Sequence, residues 1–101
     1  MFQALKLKFT KRAARNLAAI GNRLRPLNPA GAENVEASIH DSLQNLLLFP
    51  LMGREQKLRG VRKVLTPRYS YLIYYRFDDL SGTITILSVK HHAQMREHEE
   101  T

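Results

Sequence analysis

The sequence predicts an α+β domain of order β-α-α-β-β-β, in which an N-terminal strand and a helical hairpin pack on one face of a mostly antiparallel sheet. Three observations carry this. The chain opens on alternating Leu and Lys, continues through two apolar stripes at helical spacing that each begin on a capping residue, and turns to strand periodicity after Gly53.

From Phe2 to Phe9, Leu5, Leu7 and Phe9 alternate with Lys6 and Lys8, the period of a half-buried strand. Thr10 then stands at an N-cap position, and Ala13, Ala14, Leu17, Ile20 and Leu24 form one stripe of a first helix. Lys11, Arg12, Arg15 and Arg23 occupy its other face. Pro26 ends that helix. Asn28-Pro29 starts the next, because Asn caps free amides and Pro at the first helical position gives up no hydrogen bond. Ala32, Val35, Ile39, Leu43 and Leu46 supply its buried seam to about Leu48, and the short link makes the two helices an antiparallel hairpin. Phe49-Pro50-Leu51-Met52-Gly53 breaks out of it.

Strands are then predicted over Val61–Thr66, Tyr69–Phe77 and Thr83–Lys90, joined by Thr66-Pro67-Arg68 and by Asp78-Asp79-Leu80-Ser81-Gly82. The run Tyr69 to Tyr75 is apolar or aromatic on both faces, as a central strand requires. No helix is predicted to cover the second face of the sheet, so apolar groups there await a partner.

With 101 residues, the chain has room for one domain, read as residues 1–95 with a frayed tail at 96–101. At 44% hydrophobic and 25% charged it carries enough apolar surface to fold. It has no cysteine, which excludes a disulfide scaffold, a thiol nucleophile and any Cys-ligated metal, and fits a reducing compartment such as the cytoplasm. The first residues lack the pattern of a signal peptide, and the longest apolar run, Leu46 to Met52, falls far short of the ~20 residues that cross a bilayer. No membrane partner is expected. The formal charge of +7 is segmented: residues 1–26 hold seven bases and no acid, 27–53 three acids and no base, 54–76 seven bases and one acid. Folded onto one face, the basic blocks attract nucleic acid or an acidic protein segment.

The residues resemble the RelE/ParE superfamily of toxins from bacterial type II toxin-antitoxin modules, closer to its ParE side. The likeness is carried by Phe9-Thr10 with Ala14, Leu17 and Ile20, by Asn28-Pro29 with Ala32, and by Leu46 with Pro50 and Gly53-Arg54. It continues through Gly60-Val61-Arg62, Pro67, Tyr69 to Arg76, and Ile84 to His91. The resemblance implies a toxin held inactive by a cognate antitoxin, with a toxin-antitoxin hetero-oligomer as its resting form. ParE-like members poison DNA gyrase without chemistry of their own. RelE-like members cut messenger RNA on the ribosome, and a third class keeps the fold for binding alone.

Metal-free RNA cleavage needs a base for the 2′-hydroxyl, an acid for the leaving oxygen and a cation for the phosphorane charge. RelE-like enzymes place an Arg in the strand matching 69–77, where this chain has Tyr71, a departure that weakens the nuclease reading. His91 falls where several of these nucleases have a catalytic His, so a nuclease here would use His91 with Arg62 and Arg76. Arg59, Arg62, Lys63, Arg68 and Arg76 are the candidate partner-binding residues, set against the alternative of a solvated basic surface. Tyr69, Tyr71, Tyr74 and Tyr75 read as sheet packing rather than as platforms for bases. His91 and His92 point to opposite faces of a regular strand and cannot chelate one ion, so neither metal nor cofactor is expected.

Overall fold

A computed structural model of the chain describes residues 4–93. In chain order it contains β1 (Lys6–Phe9), α1 (Lys11–Leu24), α2 (Pro29–Leu48), β2 (Arg54–Glu55), β3 (Val61–Leu65), β4 (Tyr71–Asp78) and β5 (Thr83–His91). The strands form one sheet of order β1-β5-β4-β3-β2. Because the chain crosses over through both helices and returns by hairpins, β1 lies parallel to β5 while every other pair is antiparallel. The predicted α+β architecture is present, with one addition: β2, two residues at the sheet edge, pairs Arg54 with Lys63 and Glu55 with Arg62. Phe2 and the tail predicted at 96–101 lie outside the described residues. Among the described residues no helix is long and apolar enough to cross a membrane.

Both helix starts form as their residues dictate. The Thr10 hydroxyl accepts a hydrogen bond from the Ala13 N–H at 3.0 Å and donates to the Leu87 carbonyl at 2.9 Å, capping α1 and tying it to the sheet. Leu87 is free to accept because β5 bulges there: Tyr74 pairs with Ser88 and Tyr75 with Ile86, leaving Leu87 opposite nothing. The Val89 N–H next to the bulge turns to Asn16 Oδ1 of α1 at 3.1 Å. Asn28 caps α2 by accepting from the Gly31 N–H, with Pro29 at the first helical position. Arg25 and Glu36 clip the two helices together with paired bonds of 3.0 and 3.3 Å.

The helices press Ala13, Ile20, Val35, Ile39, Leu43 and Leu46 onto Ile73, Tyr75, Ile84, Ile86 and Val89 of the sheet. Leu46, Ile73, Tyr75, Ile84 and Ile86 are fully buried, and burial on this scale stabilises by about 1.5–3 kcal/mol per large apolar side chain. On the far face, register sets Val61 beside Arg76, Lys63 beside Tyr74 and Leu65 beside Leu72. Val61 and Leu72 are buried there all the same, Tyr74 is half-buried and Leu65 is exposed. The far face therefore holds little open apolar surface.

The turn from β3 to β4 departs from the sequence reading. Tyr69 and Ser70, predicted to begin the strand, sit in the left-handed region with φ of 67° and 55°. Each such residue costs about 1–2 kcal/mol, and Thr66 offsets it. Its N–H donates to the Tyr71 carbonyl, while its buried hydroxyl donates to the Arg68 carbonyl and accepts from the Tyr71 N–H.

Candidate functional site

The segment that leaves α2 passes Phe49 to Gly53 and enters β2, and two side chains from β3 and β4 hold it from beneath. Tyr75, fully buried among apolar neighbours, must find a partner for its hydroxyl. It donates to the Pro50 carbonyl at 2.8 Å and accepts from the Gly53 N–H at 2.9 Å. Burial pushes the phenol's pKa up, with the Gly53 bond and the nearby Arg62 charge opposing. Arg62, the register partner of Tyr75, donates to the Gly53 carbonyl at 2.7 Å, to the Leu51 carbonyl at 3.1 Å and to Glu55 Oε1 at 3.1 Å. A cleft of about 550 Å³ opens beside this clamp, lined by Leu51, Lys57, Arg59, Val61, Arg62 and Phe77.

The predicted site residues divide between the two ends of the sheet. Arg59, Arg62, Lys63 and Arg76 gather at the β2–β3 end, where the Arg76 guanidinium donates to the Arg59 carbonyl at 3.2 Å. Arg62 and Arg76 nevertheless belong to opposite faces, because Arg62 pairs with Tyr75 and Arg76 with Val61. Lys63 lies on the far face with its ammonium 6.0 Å from the Tyr74 ring centre. Arg68 and His91 stand at the other end. Arg68 lines a separate cleft with Asn34, Asp41 and Asn45 of α2. His91 pairs with Tyr71, its ring meeting the Tyr71 ring edge to face at 5.2 Å, and the Ala93 N–H donates to its Nδ1. The partner of His91, Tyr71, and the partner of Arg62, Tyr75, are four positions apart along β4, about 13 Å of strand.

Tyr71 and Tyr75 pack in the core, as their strand spacing implies. What sequence reasoning missed is the work of the Tyr75 hydroxyl and of Gly53; the only available signal was that a phenol in an apolar strand needs a polar partner. Among the described residues, no three His, Cys, Asp or Glu side chains come together as a metal site.

Residues 7–96 match the family of the ParE toxins of type II toxin-antitoxin systems, parDE. The chain belongs to that family. It is 30% identical over 86 residues to Y4kP of Sinorhizobium fredii, which carries the name of a toxin, covering 85% of this chain and 86% of that one. Among solved structures, the chromosomal ParDE system of P. aeruginosa superposes with a TM-score of 0.75 at 25% identity, over 87% of this chain and 96% of the other. The E. coli toxin RelE, solved with an antitoxin RelBc peptide, gives a TM-score of 0.70 at 18% identity over 98% and 96% of the two chains, a likeness of fold alone. In this chain the Arg62–Tyr75 clamp sits where the helical hairpin hands the chain back to the sheet.

Proposed function

We propose that this ParE-family chain is a growth-arresting toxin that acts by binding DNA gyrase, not by chemistry of its own, and that a cognate antitoxin neutralises it in a cytoplasmic hetero-oligomer. One observation carries the reading. The three side chains a metal-free ribonuclease would use are not convergent: His91 is at one end of the sheet, Arg62 and Arg76 are at the other on opposite faces, and Arg62 is committed to Gly53, Leu51 and Glu55. General acid-base groups act within about 3 Å of the proton they move, and the strand partner of His91 stands about 13 Å from that of Arg62. Tyr71, in place of the nuclease arginine, lies buried against the helices. The likeness to the ParDE system supports the antitoxin partner, and the surplus of bases supports an acidic one.

The test is controlled expression in bacteria, with DNA and protein synthesis followed by pulse labelling in the minutes after induction, beside a supercoiling assay with purified gyrase. The reading expects DNA synthesis to fall first, supercoiling to be inhibited, and His91→Ala to keep both effects. Early loss of protein synthesis that His91→Ala abolishes would establish a ribosome-dependent ribonuclease instead. Loss of neither would leave a binding protein on the toxin fold.

A further inference from the structure

The cleft at the Arg68 end of the sheet takes no part in the Arg62–Tyr75 clamp. It encloses about 410 Å³ between α2 and the turn from β3 to β4. On α2, Asn34, Ser38, Asp41 and Asn45 follow one another at spacings of four, three and four, which sets them in one polar stripe beside the buried seam of that helix. From the first to the last of them is about 16 Å of helix. The turn supplies Arg68 and Tyr69.

Two observations set this cleft apart from a solvated groove. One is the backbone of the turn. Tyr69, which its spacing in the sequence assigns to sheet packing, is instead 41% exposed, and it is held at the cleft with φ of 67° beside Ser70 with φ of 55°. Residues other than glycine keep such a conformation only where their surroundings enforce it, and they gather at ligand sites. Here the bonds of Thr66 to Arg68 and Tyr71 enforce it. The other observation is charge. Asp41 and Arg68 line the same cleft, yet among the described residues neither side chain makes an ion pair or a hydrogen bond, and the same holds for the side chains of Asn34, Ser38 and Asn45. A carboxylate and a guanidinium that share a cleft without closing on each other suit a ligand that brings donors to one and an anion to the other.

We propose that this cleft binds a guanine nucleotide. The base stacks on the exposed Tyr69 ring, its N1–H and exocyclic amino group donate side by side to the two oxygens of Asp41, and its phosphate meets the Arg68 guanidinium. Asn34 and Asn45 flank Asp41 along the stripe, with amide donors for the remaining acceptors of the base and for the ribose. Adenine presents an acceptor, its N1, beside its amino group, and a carboxylate repels it, so the same groups tell the two purines apart. A protein partner fits less well, because Tyr69 is the only exposed large apolar side chain lining the cleft and protein interfaces are built around apolar anchors. The site does not depend on whether gyrase or the ribosome is the target.

The test is an amide-shift titration of the full isotope-labelled chain, made by cell-free synthesis, with guanosine 5′-monophosphate, adenosine 5′-monophosphate, guanosine, inorganic phosphate and a short single-stranded RNA containing one guanosine. Guanosine monophosphate is expected to shift amides within residues 34–45 and 68–70 and to bind about tenfold or more tightly than the adenine nucleotide, guanosine or phosphate. Asp41→Asn is expected to lose the preference for guanine over adenine, and Arg68→Gln to bring guanosine monophosphate down to the level of guanosine. Both side chains are exposed, so the circular dichroism of each variant should match that of the natural chain. Absent binding, shifts centred elsewhere, equal binding of the two purine nucleotides, phosphate binding as tightly as the nucleotide, tighter binding of the RNA than of the mononucleotide, or a full guanine preference in Asp41→Asn would each overturn the proposal.

Discussion

Arg62 and Tyr75 face each other across β3 and β4 and take hold of the two polar groups of one residue, Gly53: the tyrosine hydroxyl accepts from its N–H at 2.9 Å and the guanidinium donates to its carbonyl at 2.7 Å. Buried backbone groups without partners are costly, and Gly53 lies at the sheet edge where β2 has not yet begun to pair with β3. The two side chains do there what a longer strand would have done.

Replacing Tyr75 by Phe keeps the ring in the core and removes the hydroxyl. The Gly53 N–H and the Pro50 carbonyl then lose their partner, and an unsatisfied buried group costs about 1–3 kcal/mol. Urea unfolding is expected to show an unfolding free energy lower by that amount, seen as a lower midpoint with an unchanged slope. An unaltered midpoint would mean that water takes the place of the hydroxyl at no cost.

The same phenol makes stability depend on alkaline pH. Burial holds its pKa above the usual 10.0, so the folded chain keeps its proton where the unfolded chain releases it. The stability from this group is complete below about pH 10 and is lost as pH rises through the folded-state value. Unfolding measured from about pH 8 to about pH 11 should show the stability advantage of the natural chain over Tyr75→Phe shrinking toward the alkaline end. A constant difference would count against a buried neutral phenol.

Gly53→Ala should damage the fold and Gly21→Ala should not. A Cβ on Gly53 would stand 2.6 Å from Tyr75 Oη and 2.7 Å from its Cε1, atoms of a fully buried ring with nowhere to go. Overpacking of this kind costs about 1–3 kcal/mol. A Cβ on Gly21 meets the guanidinium tip of Arg25 and then Glu36 Oε2, so it displaces an exposed ion pair, which contributes little in water, while alanine in a helix interior gains about 1 kcal/mol over glycine. The thermal unfolding temperature is expected to fall for Gly53→Ala and to stay level or rise for Gly21→Ala.

The architecture was legible because its determinants are local. Thr10, Asn28 with Pro29, and the change from helical to strand spacing after Gly53 specify where elements start. Two residues of β2 carry no period of their own, and only pairing with Arg62 and Lys63 makes them a strand. Tyr69 and Ser70 escaped recognition as turn residues because neither is the Gly or Asn that a left-handed position favours. For the site, the sequence marked the right arginines without their directions. Arg62 reaches inward to backbone carbonyls, Arg76 lies on the other face, and His91 stands about 13 Å along the strand from the partner of Arg62, all consequences of a register that no local pattern encodes.

Thr10 offers a test of how far the helical hairpin depends on the sheet. Its hydroxyl both caps α1, through the Ala13 N–H, and donates to the carbonyl that the β5 bulge leaves unpaired at Leu87. Loss of a Thr cap costs about 0.5–2 kcal/mol, and here the Leu87 carbonyl loses a donor as well. Thr10→Ala is therefore expected toward the upper end of that range, with faster hydrogen exchange at the Ala13 amide. Thr10→Ser keeps the oxygen and both bonds, so it should stay close to the natural chain in both measurements. If serine proves as damaging as alanine, the methyl group rather than the hydroxyl holds α1 to the bulge.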